Sequence, residues 1–198
     1  MKKTMLIAGL FLVGMGGAFA QVNYGVKAGV NFANVHLSED VEDSDPSILT
    51  GFHAGVFINT ELAENFSVQP ELFYSAVGSK LYEEGDASFK LKTSYLSLPV
   101  LAQYQFFDGF RLELGPQVGL LLSSKNELKG TDEDYEEDVK DDTESIDFGL
   151  TGGASYQLPI GLGVFARYYT GLSDITKENE AGVKVKNNNI AVGLTYTF

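Results

Sequence analysis

Six ionisable residues stand where strand alternation turns them away from an apolar face: Lys27, Glu71, Arg111, Glu113, Asp147 and Arg167. Strand side chains point to opposite faces with period two. Lys27, Glu71, Glu113 and Arg167 lie at similar distances from the nearest short turn, so they could share one layer. Buried charges need partners. With Arg111 they form an expected lumen charge network. It would act either as a salt-bridged plug or, if the pairs rearrange, as a narrow solute path. Glu71 and Glu113 could in principle do acid–base work. No nucleophile, second histidine or cleft accompanies them, so no enzyme is expected. His53 falls on the same inward face without a serine motif.

Other chemistry is restricted by composition. There is no Cys and only two His, His36 and His53, so thiolate sites, disulfides and the common zinc and triad arrangements are not expected. No cofactor or metal is expected. The stretch Ser123 to Ser145 is dense in acid. Asp132, Asp134, Glu136 and Asp138 have the spacing of a calcium loop. Glu137 stands where that loop needs Gly, and Thr143 where it needs a bidentate Glu, which rejects an EF-hand. A solvated loop of repelling charges remains, with weak cation bridging to lipopolysaccharide phosphates, or contact with basic partners, as the alternative. Glu39, Asp40, Glu42, Asp43 and Asp45 add a second acidic loop.

The elements that must position these groups are strands. Residues 1–20 form a separate object: Lys2 and Lys3, an apolar run from Met5 to Phe19, then Ala18-Phe19-Ala20. This is the pattern of a cleaved signal peptide, with the mature chain, 21–198, beginning at Gln21. Losing Lys2 and Lys3 from 14 basic residues leaves 12 against 27 acidic ones, 12 − 27 = −15, which argues against a nucleic-acid partner. Eight alternating segments follow: Val22 to Phe32, Gly51 to Thr60, Phe66 to Gly78, Leu91 to Phe106, Phe110 to Leu122, Ile146 to Leu158, Leu162 to Leu172, and a last one ending Ile190 to Phe198. No segment keeps a helical period. Pro70, Pro99 and Pro116 are expected to mark bulges. Connections alternate short and long, the signature of an antiparallel up-and-down barrel.

Volume decides which face is outside. An eight-stranded barrel has an interior just wide enough for side chains or one small ligand. The apolar face is too bulky to fit, whereas the face rich in Gly, Ser, Thr, Asn and Gln fits. The apolar face is therefore expected to meet lipid. Tyr24, Phe66, Tyr104, Phe106, Phe110, Tyr156, Tyr196 and Phe198 fall near the short-turn ends, and Phe32, Phe52, Tyr74, Phe148 and Tyr168 nearer the long loops. Two aromatic belts flanking an aliphatic band are expected at two membrane interfaces. The fold class is thus all-β, a transmembrane eight-stranded barrel.

The signal peptide, the Gly-rich first strand Tyr24-Gly25-Val26-Lys27-Ala28-Gly29-Val30-Asn31 and the terminal Ile190 to Phe198 carry a resemblance. Over 21–198 the chain resembles small outer-membrane barrels of the OmpA/OmpX type, in the style of porin-family or PorT-like barrel domains. The resemblance implies an outer-membrane location in a Gram-negative-type bacterium, among lipid and lipopolysaccharide, with long loops outside the cell. It implies that Tyr196 and Phe198 are read by the barrel-assembly machinery. The expected role is structural or surface-interacting, with a plugged polar lumen. A small-solute channel, or an accessory barrel of a larger secretion or assembly complex, is the alternative.

Overall fold

The computed structural model describes residues 22–37, 47–84, 87–130, 135–176 and 185–198. The signal peptide expected over 1–20 and the acidic loop Glu39 to Asp45 lie outside them. Nine strands follow in order: β1 Val22–Leu37, β2 Ser47–Ala63, β3 Phe66–Glu84, β4 Ala87–Phe107, β5 Phe110–Lys129, β6 Tyr135–Asp138, β7 Ile146–Gln157, β8 Leu162–Gly171 and β9 Val185–Thr197. Eight of them form an antiparallel ring, β1-β2-β3-β4-β5-β7-β8-β9. It closes where Gly25 to Leu37 of β1 pairs with Thr197 to Val185 of β9. Closure leaves the ring without an unpaired sheet edge, as a barrel in lipid requires.

Alternation explains the two faces. Along β1, Val22, Tyr24, Val26, Val30 and Phe32 are exposed, while Lys27, Asn31, Ala33 and Val35 are buried. The terminal strand behaves likewise, with Ile190, Leu194 and Tyr196 exposed. Both aromatic groups lie on the outward face, Tyr24 against Phe198 at one end and Phe52 against Tyr74 at the other. Two-residue turns join β2 to β3 and β4 to β5. The second, Asp108-Gly109, is a strong hairpin signal, and Gly109 takes a φ of 80° that a side chain would resist.

Three sequence expectations need correction. First, the strands continue beyond the apolar alternation. Much of the expected loop Ser79 to Lys90 is the outer part of β3 and β4, and β5 runs to Lys129. Backbone pairing needs no lipid, so hairpins persist where side chains turn polar. Second, β6 is a ninth strand outside the ring, paired only with β5 from Lys125↔Asp138 to Leu128↔Tyr135. Lys125 Nζ lies 2.5 Å from Glu136 Oε1 across that hairpin. Third, the register does not shift at Pro70, Pro99 or Pro116. A shift occurs instead beside Leu122, where Ser94 faces Ser123 and Tyr95 faces Leu121. There the extra residue keeps both Leu121 and Ser124 buried.

The inward face is also bulkier than expected. Phe57, Tyr95, Leu101, Phe165 and Tyr169 are buried. Phe57 and Phe165, with the half-buried Phe73, stand opposite glycines across the ladder: Phe57 opposite Gly25, Phe73 opposite Gly55 and Phe165 opposite Gly193. A Cβ at Gly25 or Gly193 would run into the facing ring, and one at Gly55 into the Cβ and backbone of Phe73. Small-against-large pairing thus fills the narrow interior.

Candidate functional site in the barrel lumen

Lys27, Glu71, Glu113 and Arg167 come from β1, β3, β5 and β8, every second strand of the ring. Alternate strands of a small barrel place inward residues in a common layer, and here the layer is charged. Lys27 Nζ lies 2.7 Å from Glu71 Oε2. Arg167 Nη1 donates to the same oxygen at 2.8 Å. Its Nε and Nη2 donate to the two Glu113 oxygens at 2.7 and 3.1 Å, a bidentate fork. The exposures are 3% for Glu71, 4% for Lys27 and Glu113, and 6% for Arg167. Two cations and two carboxylates make this layer neutral.

Amides and rings complete the satisfaction of these charges. Gln69 Nε2 donates to Glu71 Oε1 at 2.7 Å, and Gln103 Nε2 to Glu113 Oε2 at 2.8 Å. Lys27 Nζ sits 4.5 Å from the centres of both the Phe73 and Phe165 rings, and the Arg167 guanidinium 4.8 Å from Phe165. A cation held against two aromatic faces gains where water is excluded. Sequence reasoning singled out none of Gln69, Gln103, Phe73 and Phe165 as partners. Parity held the signal: Gln69 is two residues from Glu71, and Gln103 faces Glu113 across the ladder.

Polar layers lie on both sides. Toward the short turns, Asn59 Nδ2 bonds Ser67, Gln69 and Gln103. Toward the loops, Asn31 Nδ2 donates to Ser75 Oγ and the Ala76 carbonyl. Its Oδ1 must then accept, so His53 Nδ1, 2.9 Å away, is the donor. His53 is thus a lumen-filling residue. Asp147 stands apart from the charged layer, accepting from Asn187 Nδ2 and Ser173 Oγ, each at 2.9 Å. Arg111 also stands apart, near the short-turn mouth, with its Nε 3.4 Å from Gln105 Oε1. The structure therefore brings together four of the five expected network residues and leaves Arg111 outside.

A cavity of about 440 Å³ opens on the short-turn side and ends at Phe165 and Arg167. On the loop side a void of about 20 Å³ lies among Tyr95, Asp147, Tyr169 and Asn187, room for about one water. Tyr196 and Phe198 lie on the outer face at the short-turn rim, 45% and 64% exposed, their rings edge to face at 5.4 Å. The Phe198 N–H donates to the Tyr24 carbonyl at 2.9 Å.

Comparison with known proteins fits this geometry. A family model described as outer membrane protein beta-barrel domain matches residues 19–177. Among solved structures, Neisserial surface protein A aligns with a TM-score of 0.54 at 16% identity, over 90% of this chain and 99% of that one. Ail, the attachment invasion locus protein of Yersinia pestis, solved in complex with the heparin analogue sucrose octasulfate, aligns with a TM-score of 0.50 at 14% identity, again over 90% and 99%. At such identities these likenesses concern the fold. No curated protein matches the chain. The chain belongs to the outer membrane protein beta-barrel domain family and resides in the outer membrane of a Gram-negative-type bacterium.

Proposed function

We propose that the protein is a closed outer-membrane barrel with a structural or surface-interaction role in the envelope, following removal of residues 1–20 as a signal peptide. The carrying observation is the charged layer. Its four side chains bond one another across the lumen, and each is at most 6% exposed. A solute would have to separate desolvated opposite charges, which costs several kcal/mol when a partner is lost (~3–5 kcal/mol). The role is non-catalytic in this reading, because Arg167 holds both carboxylates of the candidate acid–base pair Glu71 and Glu113. Proteoliposome swelling in small sugars tests closure. Rates equal to those of empty vesicles are expected, and fast swelling would contradict the reading.

The surface role rests on the loop acids. Glu136, Glu137, Asp138, Asp141 and Asp142 are exposed around β6 and the turn after it. Ail was solved with a polyanion; a loop of this charge favours basic partners or divalent cations instead. Tyr196 and Phe198, at the edge of the closing strand, are the residues we assign to recognition by the assembly machinery. A small-solute channel is the second reading, favoured by the open 440 Å³ cavity that reaches the charged layer from the short-turn side. Membership of a larger secretion or assembly complex would appear as co-purifying subunits in mild detergent.

A further inference from the structure

The cavity at the short-turn mouth has a chemistry that closure of the lumen does not use. Its volume, about 440 Å³, is that of a small-molecule site. Neutral hydrogen-bonding groups are the largest part of its wall, among them Asn59, Gln103, Ser155, Gln157 and Thr195, and among the described residues no Asp or Glu lines it. Glu71 and Glu113 lie behind this wall, already matched by Lys27 and Arg167. Arg111 also lines the cavity and is the charge left over. Among the described residues its one hydrogen bond is the long contact to the neutral Gln105, and no described carboxylate pairs with it. A half-buried guanidinium with an unfilled donor fork favours a planar or tetrahedral oxyanion. Surrounding amides and hydroxyls suit a hydroxylated body attached to that anion.

We propose that this mouth is a binding site for a small hydroxylated anion, sugar-sized, whose phosphate or carboxylate docks on Arg111. In this family architecture short turns face the periplasm, so the ligand would come from that side. The site does not depend on whether the lumen beyond it conducts.

The test is titration of the refolded full chain in lipid nanodiscs with glucose 6-phosphate, glucuronate and glucose, read by backbone amide shifts. Saturable binding of at least one of the two anions, with shifts at Ser155 and Thr195 and weaker or no binding of glucose, is expected. The better anion identifies the docking group as phosphate or carboxylate. Arg111→Gln should weaken binding by about 10- to 100-fold, the loss of a charge-assisted bond, and Arg111→Lys by less. Ser155→Phe, which fills the cavity beside an intact Arg111, should abolish binding of the sugar anion. Absence of saturation by either anion at millimolar concentration, equal binding of glucose, or unchanged affinity in Arg111→Gln would overturn the proposal. Should Arg111→Gln fail to refold, unchanged affinity in Ser155→Phe would overturn it equally.

Discussion

At the scale of single residues, the lumen is governed by charge balance. Glu113 accepts both remaining arms of the Arg167 fork, leaving that guanidinium with Glu71 alone once Glu113 is gone. Glu113→Ala therefore leaves one net positive charge in a dry layer. We expect a loss of about 3 kcal/mol or more, measured as a lower urea midpoint of refolded protein. Adding Lys27→Met restores neutrality while keeping the Glu71–Arg167 bond. The double variant should recover part of the lost stability, a coupling expected between contacting charges. A midpoint lower than in Glu113→Ala alone would mean that the two cations do not share this balance. Parity along the strands was enough to place Lys27, Glu71, Glu113 and Arg167 on the inner face. Distance from the short turns already set those four apart from Arg111, one residue into β5, yet inward direction alone still counted Arg111 in the same network.

At the scale of strands, fit depends on which face a small residue occupies. Gly55 and Ala54 are neighbours on β2, yet a side chain at Gly55 would meet the Cβ and backbone of Phe73 while Ala54 is exposed on the outer face. Gly55→Leu should block or sharply reduce refolding, by overpacking of at least 1–3 kcal/mol. Ala54→Leu should fold as the parent does, because its added methyls meet lipid. Heat-modifiable gel mobility separates the two outcomes, and equal yields would contradict the assigned faces. Alternation and turn spacing made eight strands and their outward residues legible. The outer reaches of β3, β4 and β5 were not, since polar side chains there hide a backbone that still pairs. Nor was β6, whose run Tyr135-Glu136-Glu137-Asp138 reads as solvated loop and becomes a strand only by lying against β5. Phe57, Tyr95, Phe165 and Tyr169 escaped notice because their space is created by glycines on other strands.

For the whole molecule, lipid outside and closed polar packing inside are one arrangement seen from two sides. Leu114, 62% exposed in the apolar band, tests the first side. Leu114→Arg should cost roughly 2–4 kcal/mol near the bilayer midplane, read as the urea midpoint in vesicles, whereas Glu137→Arg on the exposed β6 should be nearly silent. Equal midpoints would put Leu114 outside the hydrocarbon. The second side is tested most directly by planar-bilayer recording of the refolded protein beside a variant in which Glu71, Glu113, Lys27 and Arg167 are all replaced by Ser. Closure by the charged layer predicts a silent parent and discrete conductance steps in the variant. Steady steps in the parent that vanish or change when the layer is replaced would contradict it and make the lumen a channel.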